Sequence, residues 1–172
     1  MFESEIASED FSKLLFRMAF CLAACDGEIH ELEIHELKDI SKNTPYFGEI
    51  NLDSELKKSL ADFEKFGTRN INNLFKTLET TKRSMVQELL LLEVALRMVA
   101  ADERVDKSEI QFIKAMRWRL DILDPLIVQR FGQISYLVKS EQQDMPDVSK
   151  LSTISSPWKE KIHLELNVDY EQ

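Results

Sequence analysis

Glycine and proline are scarce, with four of each in 172 residues. So few turn-formers cannot supply the many tight connections of an all-β fold, which leaves helices as the main element. Cysteine is scarcer still, and the two present, Cys21 and Cys25, are too few for a disulfide framework. Four apart on a helix they share a face. With His30 they could begin a metal site, but no second cysteine pair completes one, and two small core-facing side chains is the simpler reading. Basic residues are outnumbered, 22 against 31 acidic, for a net charge of −9. A negative surface repels phosphate backbones and anionic headgroups, which argues against nucleic acid as a partner. Long apolar runs are missing too. The longest, Leu89 to Ala101, is interrupted by Glu93 and Arg97 and falls short of the roughly 20 residues a spanning helix needs, so no membrane insertion is expected. The first ten residues, Met1 to Asp10, lack the basic and apolar regions of a signal peptide, and a cytoplasmic protein is expected.

What is present is helical periodicity. Phe11, Leu14, Leu15, Met18, Ala19, Leu22 and Ala23 recur at three- and four-residue spacing and predict a helix over about 9–25. Asp26-Gly27 stops it. Leu32, Ile34, Leu37 and Ile40 carry a second helix to about Asn43, before Pro45. Asp53 or Ser54 can cap a third through about Phe63, with Phe66-Gly67 as its break, and a fourth follows around 70–80. Ser84 caps the most apolar segment, 85–101, a central helix by composition. Asp106 starts the sixth helix, and Asp124-Pro125 a last one carrying Leu126, Ile127, Phe131 and Ile134.

Beyond residue 139 the pattern changes. Residues 140–157 hold Gln142, Gln143, Pro146, Pro157 and five serines, the composition of a polar linker. In 158–172, Ile162, Leu164, Leu166, Val168 and Tyr170 alternate with His163, Glu165, Asn167 and Asp169, a strand period. A lone strand needs a partner for its backbone: a second copy in a homo-oligomer, the segment around Ser135 to Lys139, or another protein. The division read from the sequence is a helical domain over 1–139, a linker over 140–157 and a strand-like tail over 158–172.

The most informative feature is a repeat. Ala24-Cys25-Asp26-Gly27-Glu28-Ile29 with Glu33 matches Ala100-Ala101-Asp102-Glu103-Arg104-Val105 with Glu109, both at an offset of 76 residues. Ala19/Ala95, Ile34/Ile110 and Lys38/Lys114 are identical at the same offset, and Leu15/Leu91, Leu22/Met98, Ile29/Val105 and Leu37/Ile113 stay apolar. Two helical hairpins related by a pseudo-two-fold axis are expected. In such packing Arg17 and Glu93, at equivalent positions, would meet as a partly buried ion pair.

Two known motifs can be set aside. Asp26 to Glu33 resembles the second half of an EF-hand loop, but the upstream ligand positions are Leu22 and Ala24, or Met98 and Ala100, none of which has a side-chain oxygen. His30 and His35 are five apart, roughly 140° around a helix, and cannot form a zinc-protease pair. His30 reads as a neighbour of a helix N-cap and His35 as a surface side chain.

Two readings of the acids stay open. Asp106 and Glu109 are spaced as N-cap and N3, so Glu109 can return a hydrogen bond to the cap backbone; Glu33 would do so for His30, and Asp26 and Asp102 would accept loop N–H groups. Alternatively the two loops converge, and Asp26, Glu33, Asp102 and Glu109 form an acidic pocket whose repulsion a divalent cation relieves.

The doubled Ala-x-Asp-x-x-aliphatic-x-x-x-Glu pattern resembles the TerB-like domain of bacterial tellurite-resistance proteins and membrane-anchored DnaJ-like co-chaperones, over about residues 9–135. The resemblance implies an all-α, internally duplicated bundle of about seven helices. It also implies a metal-binding or interaction site at Asp26, Glu33, Asp102 and Glu109, and a stress-associated binding role without a fixed reaction. Glu103 departs from the pattern where the first copy has Gly27, and the chain after Ser140 lies outside it. No nucleophile is paired with a base, and no Gly-rich phosphate loop or cofactor fingerprint is present, so a non-enzymatic protein is expected; a two-metal hydrolase is the enzymatic reading weighed against it. The alternative within binding proteins is a co-chaperone-type interaction scaffold whose acids only cap helices and whose tail pairs with a partner or a second copy.

Overall fold

The computed structural model describes residues 8–101 and 105–139. Within them the chain forms seven α-helices and one 3-10 turn: α1 (Ser8–Ala24), α2 (Glu31–Asn43), α3 (Leu52–Phe66), α4 (Arg69–Thr80), α5 (Met85–Ala100), α6 (Lys107–Trp118), α7 (Asp124–Phe131) and the turn Ser135–Leu137. The fold is all-α, as the periodicity requires. The linker and the alternating tail lie outside the described residues.

Local chemistry sets most helix ends. Ser84 Oγ accepts the Gln87 N–H at 3.1 Å while Gln87 Oε1 accepts the Ser84 N–H at 2.9 Å, a reciprocal cap on α5. The cap of α3 is Asn51, whose side chain accepts the Ser54 N–H at 3.0 Å; Asp53 and Ser54, the caps expected from sequence, sit inside the first turn. At the other end Gly67 takes φ 58°, where a side chain would be strained, and its N–H closes on the Phe63 carbonyl at 2.9 Å.

α1 and α5 are the centre of the bundle and pack along one another, with α4 and α6 also against α1 and α2 against α5. Leu15, Met18, Ala19 and Leu22 of α1 and Leu91, Leu92, Ala95 and Met98 of α5 are all fully buried. Aromatic pairs tie the outer elements on: Phe47 stands edge-on to Phe16 at 5.4 Å, Phe63 lies 5.5 Å from Phe20, and Phe75 lies 5.1 Å from Phe112. The helix boundaries repeat at the sequence offset, since α1 ends at Ala24 and α5 at Ala100 while α2 starts at Glu31 and α6 at Lys107.

Four expectations are corrected. Leu32 is exposed, so the buried stripe of α2 is Glu33, Ile34, Leu37 and Ile40. Arg17 and Glu93 do not pair: the α1–α5 contact takes the apolar faces and leaves these charged positions outside it. Glu93 instead meets Arg130 at 2.6 Å and accepts a hydrogen bond from the Tyr46 hydroxyl. The last helix ends at Phe131, so Ile134 lies beyond it, and Ser135–Leu137, weighed as a pairing segment for the tail, is a 3-10 turn packed on α6.

A buried polar network organises the α5–α6–α7 side. Glu88 accepts the Asp121 and Ile122 N–H groups at 2.9 and 2.8 Å and the Arg83 guanidinium at 3.2 Å. Arg117 donates to the Leu137 carbonyl at 2.7 Å and to Asp124 at 2.8 Å, and Asp124 also accepts the Lys139 N–H at 3.0 Å. These bonds fix the α6–α7 connection and the 3-10 turn to the core.

Candidate functional site: the two acidic turns

The first turn begins where α1 stops. Gly27 has φ 89°, open to glycine and costly for other residues, and its N–H bonds the Ala24 carbonyl at 3.0 Å. Asp26 Oδ1 then accepts the Glu28 N–H at 2.9 Å, Ile29 is buried, and His30 in extended conformation is itself the N-cap of α2. The His30 N–H donates to Glu33 Oε1 at 3.0 Å. In the second copy the Asp106 N–H donates to Glu109 Oε1 at 3.2 Å, and Asp106 Oδ1 accepts the Ser108 N–H at 3.3 Å. Glu33 and Glu109 are 2% and 4% exposed, so the half-cap is built twice from a buried glutamate. Both carboxylates also lie at the positive end of a helix dipole.

The copies differ in how deeply their turns are set. Cys25 and Ile29 are buried, whereas their equivalents Ala101 and Val105 are half-buried and 53% exposed. Asp102, with Glu103 and Arg104, lies outside the described residues. Its distance from Asp26, on which a shared site was expected to turn, is therefore not described.

The turns do meet, through a different acid. The side chains of Asp26 and Asp106 lie close enough for Asp106 to act on the Asp26 carboxyl. Burial is the largest effect on Asp26 and, with the hydrogen bond and charge of Asp106, pushes it up to about 6; the Glu28 N–H and His30, whose Nε2 is 3.8 Å away, pull the other way. Cys25 lies behind this pair. Its thiol is pushed well above its usual range by burial first, then by the charges of Asp26, Glu109, Glu33 and Asp106. Cys21 is pushed up to about 12 by burial, with Arg17 opposing. Both thiols are protonated and inert as nucleophiles. On the far side, burial and then the charge of Glu109 raise the Tyr136 hydroxyl.

Asp26, Glu33, Asp106 and Glu109 each act on the Cys25 thiol. Asp26, Glu33 and Glu109 each commit one oxygen to a backbone N–H. Among the described residues no group of three or more His, Cys, Asp or Glu side chains could hold a metal ion, so these carboxylates by themselves do not fit a cation.

Sequence reasoning missed the Asp26–Asp106 contact, because Asp106 was fully accounted for as an N-cap. It also missed a groove of about 770 Å³ between α1, α3 and α4, with Asp10, Lys13 and Arg17 on the α1 wall and Glu55, Lys58 and Asp62 on the α3 wall.

No family model matches the chain, and no solved structure matches it. It is similar to the inactive serine/threonine-protein kinase ZRK12 of Arabidopsis thaliana, 25% identical over 162 residues, 94% of this chain and 36% of that protein. The chain therefore spans about a third of the length of this curated relative.

Proposed function

We propose that this chain is a non-enzymatic, TerB-like helical interaction module whose duplicated acids cap its helices. One observation carries the reading: the buried glutamate of each copy is spent on the same half-cap, Glu33 on His30 and Glu109 on Asp106. Acids used this way are structural, and binding falls to the outer surfaces of the bundle. The inert thiols and the similarity to a protein named as an inactive kinase are in keeping with a role other than catalysis.

A divalent cation is the competing reading, and the accumulation of like charge around Cys25 favours it. It requires Asp102 to complete a ligand set that Asp26, Glu33 and Glu109 do not form. Calorimetric titration of the intact chain with zinc, calcium and manganese separates the two. The module reading expects no saturable heat from any of the three. Saturable heat that disappears in Asp26→Asn plus Asp102→Asn would replace it with a stress-associated metal-binding role.

A further inference from the structure

Between α4 and α5 the chain runs extended. Thr81 has φ −117° and ψ 155°, Ser84 has φ −71° and ψ 164°, and Lys82 between them makes an isolated β-bridge. No other described residue belongs to a bridge or a strand. A bridge takes two backbone segments, and the described residues supply one of them. The N–H groups of Lys82 and Arg83 take part in none of the backbone hydrogen bonds among the described residues, so this stretch is an edge with donors to offer.

The surface beside that edge is apolar and accessible. Met85 and Val86, in the first turn of α5, are 53% and 66% exposed, and Leu123, the residue before α7, is 68% exposed. Glu88 of α5 draws the two places together by accepting the Ile122 N–H at 2.8 Å. Lys139, the last described residue, is held at the same corner: its N–H donates to Asp124 at 3.0 Å and its ammonium to the Leu120 carbonyl at 2.9 Å, while Arg83, next to Lys82, donates to the adjoining Arg119 carbonyl at 3.3 Å.

We propose that the alternating segment 162–170 of the same chain pairs as a strand with the edge at Lys82 and lays Leu164, Leu166 and Val168 over Met85, Val86 and Leu123. The alternation supplies both things this corner calls for: a second backbone to close the bridge, and an apolar face, with His163, Glu165, Asn167 and Asp169 left toward water. Residues 140–161 reach at most about 70 Å when extended, ample for a return to the corner from which Lys139 starts. A tethered strand sees its site at a concentration on the order of millimolar, which favours it over a second copy in dilute solution. Residues 1–7 have Met1, Phe2 and Ile6 as their large apolar side chains and offer a smaller face. This pairing goes beyond the interaction-module reading and does not rest on it.

Residue-resolved hydrogen exchange on the intact chain tests it. Whether the strands run parallel or antiparallel, a bridge at Lys82 uses the N–H of Lys82 or of Arg83, so one of these amides is expected to exchange at least roughly tenfold more slowly than an open one, together with amides within 162–170. Leu166→Pro removes a strand donor and an apolar contact and is expected to abolish both protections. Val86→Ser plus Leu123→Ser, at exposed positions, is expected to weaken them, and Asn167→Ser, on the outward face, to leave them in place. The Asp121 and Ile122 amides, bonded to Glu88, should stay protected throughout and show that the bundle remains folded. Open exchange across 162–170 in wild type overturns the proposal. So does protection at Lys82 and Arg83 that survives Leu166→Pro, which would give the bridge to another segment such as residues 1–7. Protection that fades on tenfold dilution, with a dimer seen by sedimentation, also overturns it and makes a second copy the occupant.

Discussion

On the α5–α6–α7 side of the bundle, buried Glu88 lies 3.2 Å from Arg83 and half-buried Asp124 2.8 Å from the buried Arg117. At the turns before α2 and α6, a carboxyl faces another carboxyl, Asp106 raising Asp26, and the charges of Glu33 and Glu109 reach the Cys25 thiol. Both clusters lose hydration, and burial shows in both. It holds Glu88 above its usual range in spite of Arg83, and Arg117 below its own in spite of Asp124. The difference lies in what replaces the water. Opposite charge does so on one side, and backbone N–H groups do so on the other. A charge in the first cluster cannot be removed without stranding its partner, whereas a charge in the second can be removed to the benefit of its neighbours.

Substitutions should expose that asymmetry. Glu88→Ala strands the buried Arg83 guanidinium and leaves the Asp121 and Ile122 N–H groups without their acceptor, so a loss of about 3–5 kcal/mol is expected from urea unfolding. Glu33→Ala and Glu109→Ala each remove half of a cap, worth about 1 kcal/mol, and the two losses should be similar if the copies are built alike. Glu33→Gln keeps an acceptor for the His30 N–H and should cost less than Glu33→Ala, since glutamine serves at N3 as well. A Glu33→Ala loss as large as that of Glu88→Ala would erase the distinction between the clusters.

Much of the fold was legible because helices are specified locally. The seven helices, the Ser84 and Asp106 caps and the buried thiols follow from spacing within a few residues, as do the Glu33 and Glu109 half-caps. What escaped depends on how helices are set against one another. Arg83 and Glu88 are near in sequence, but the Asp121 and Ile122 groups that complete their network come from the connection between α6 and α7, more than 30 residues away. Arg17 and Glu93 share a repeat position, yet the rotation of α1 against α5 turns apolar faces inward and sends one charge to a groove and the other to Arg130. The site was half legible. Duplication indicated that the acidic turns are equivalent, while the contact that joins them is between unequal positions, Asp26 of the first copy and Asp106 of the second.

The raised Asp26 carboxyl beside Asp106 is the central claim, and the sign of its pH dependence can be read directly. Asp26 is raised from 3.8 to about 6, so its protonated form favours the folded state; the stability it contributes is present below about pH 4 and lost as pH rises through about 6. In Asp26→Asn the side-chain amide cannot ionise, yet it can still accept the Glu28 N–H and donate to Asp106. Thermal unfolding of wild type and Asp26→Asn, followed in parallel from pH 4 to 7.5, is therefore expected to show midpoints that nearly coincide at pH 4 and separate as pH rises, with the variant the more stable at neutral pH. A gap that does not change with pH, or a variant less stable than wild type at pH 7.5, would contradict the claim.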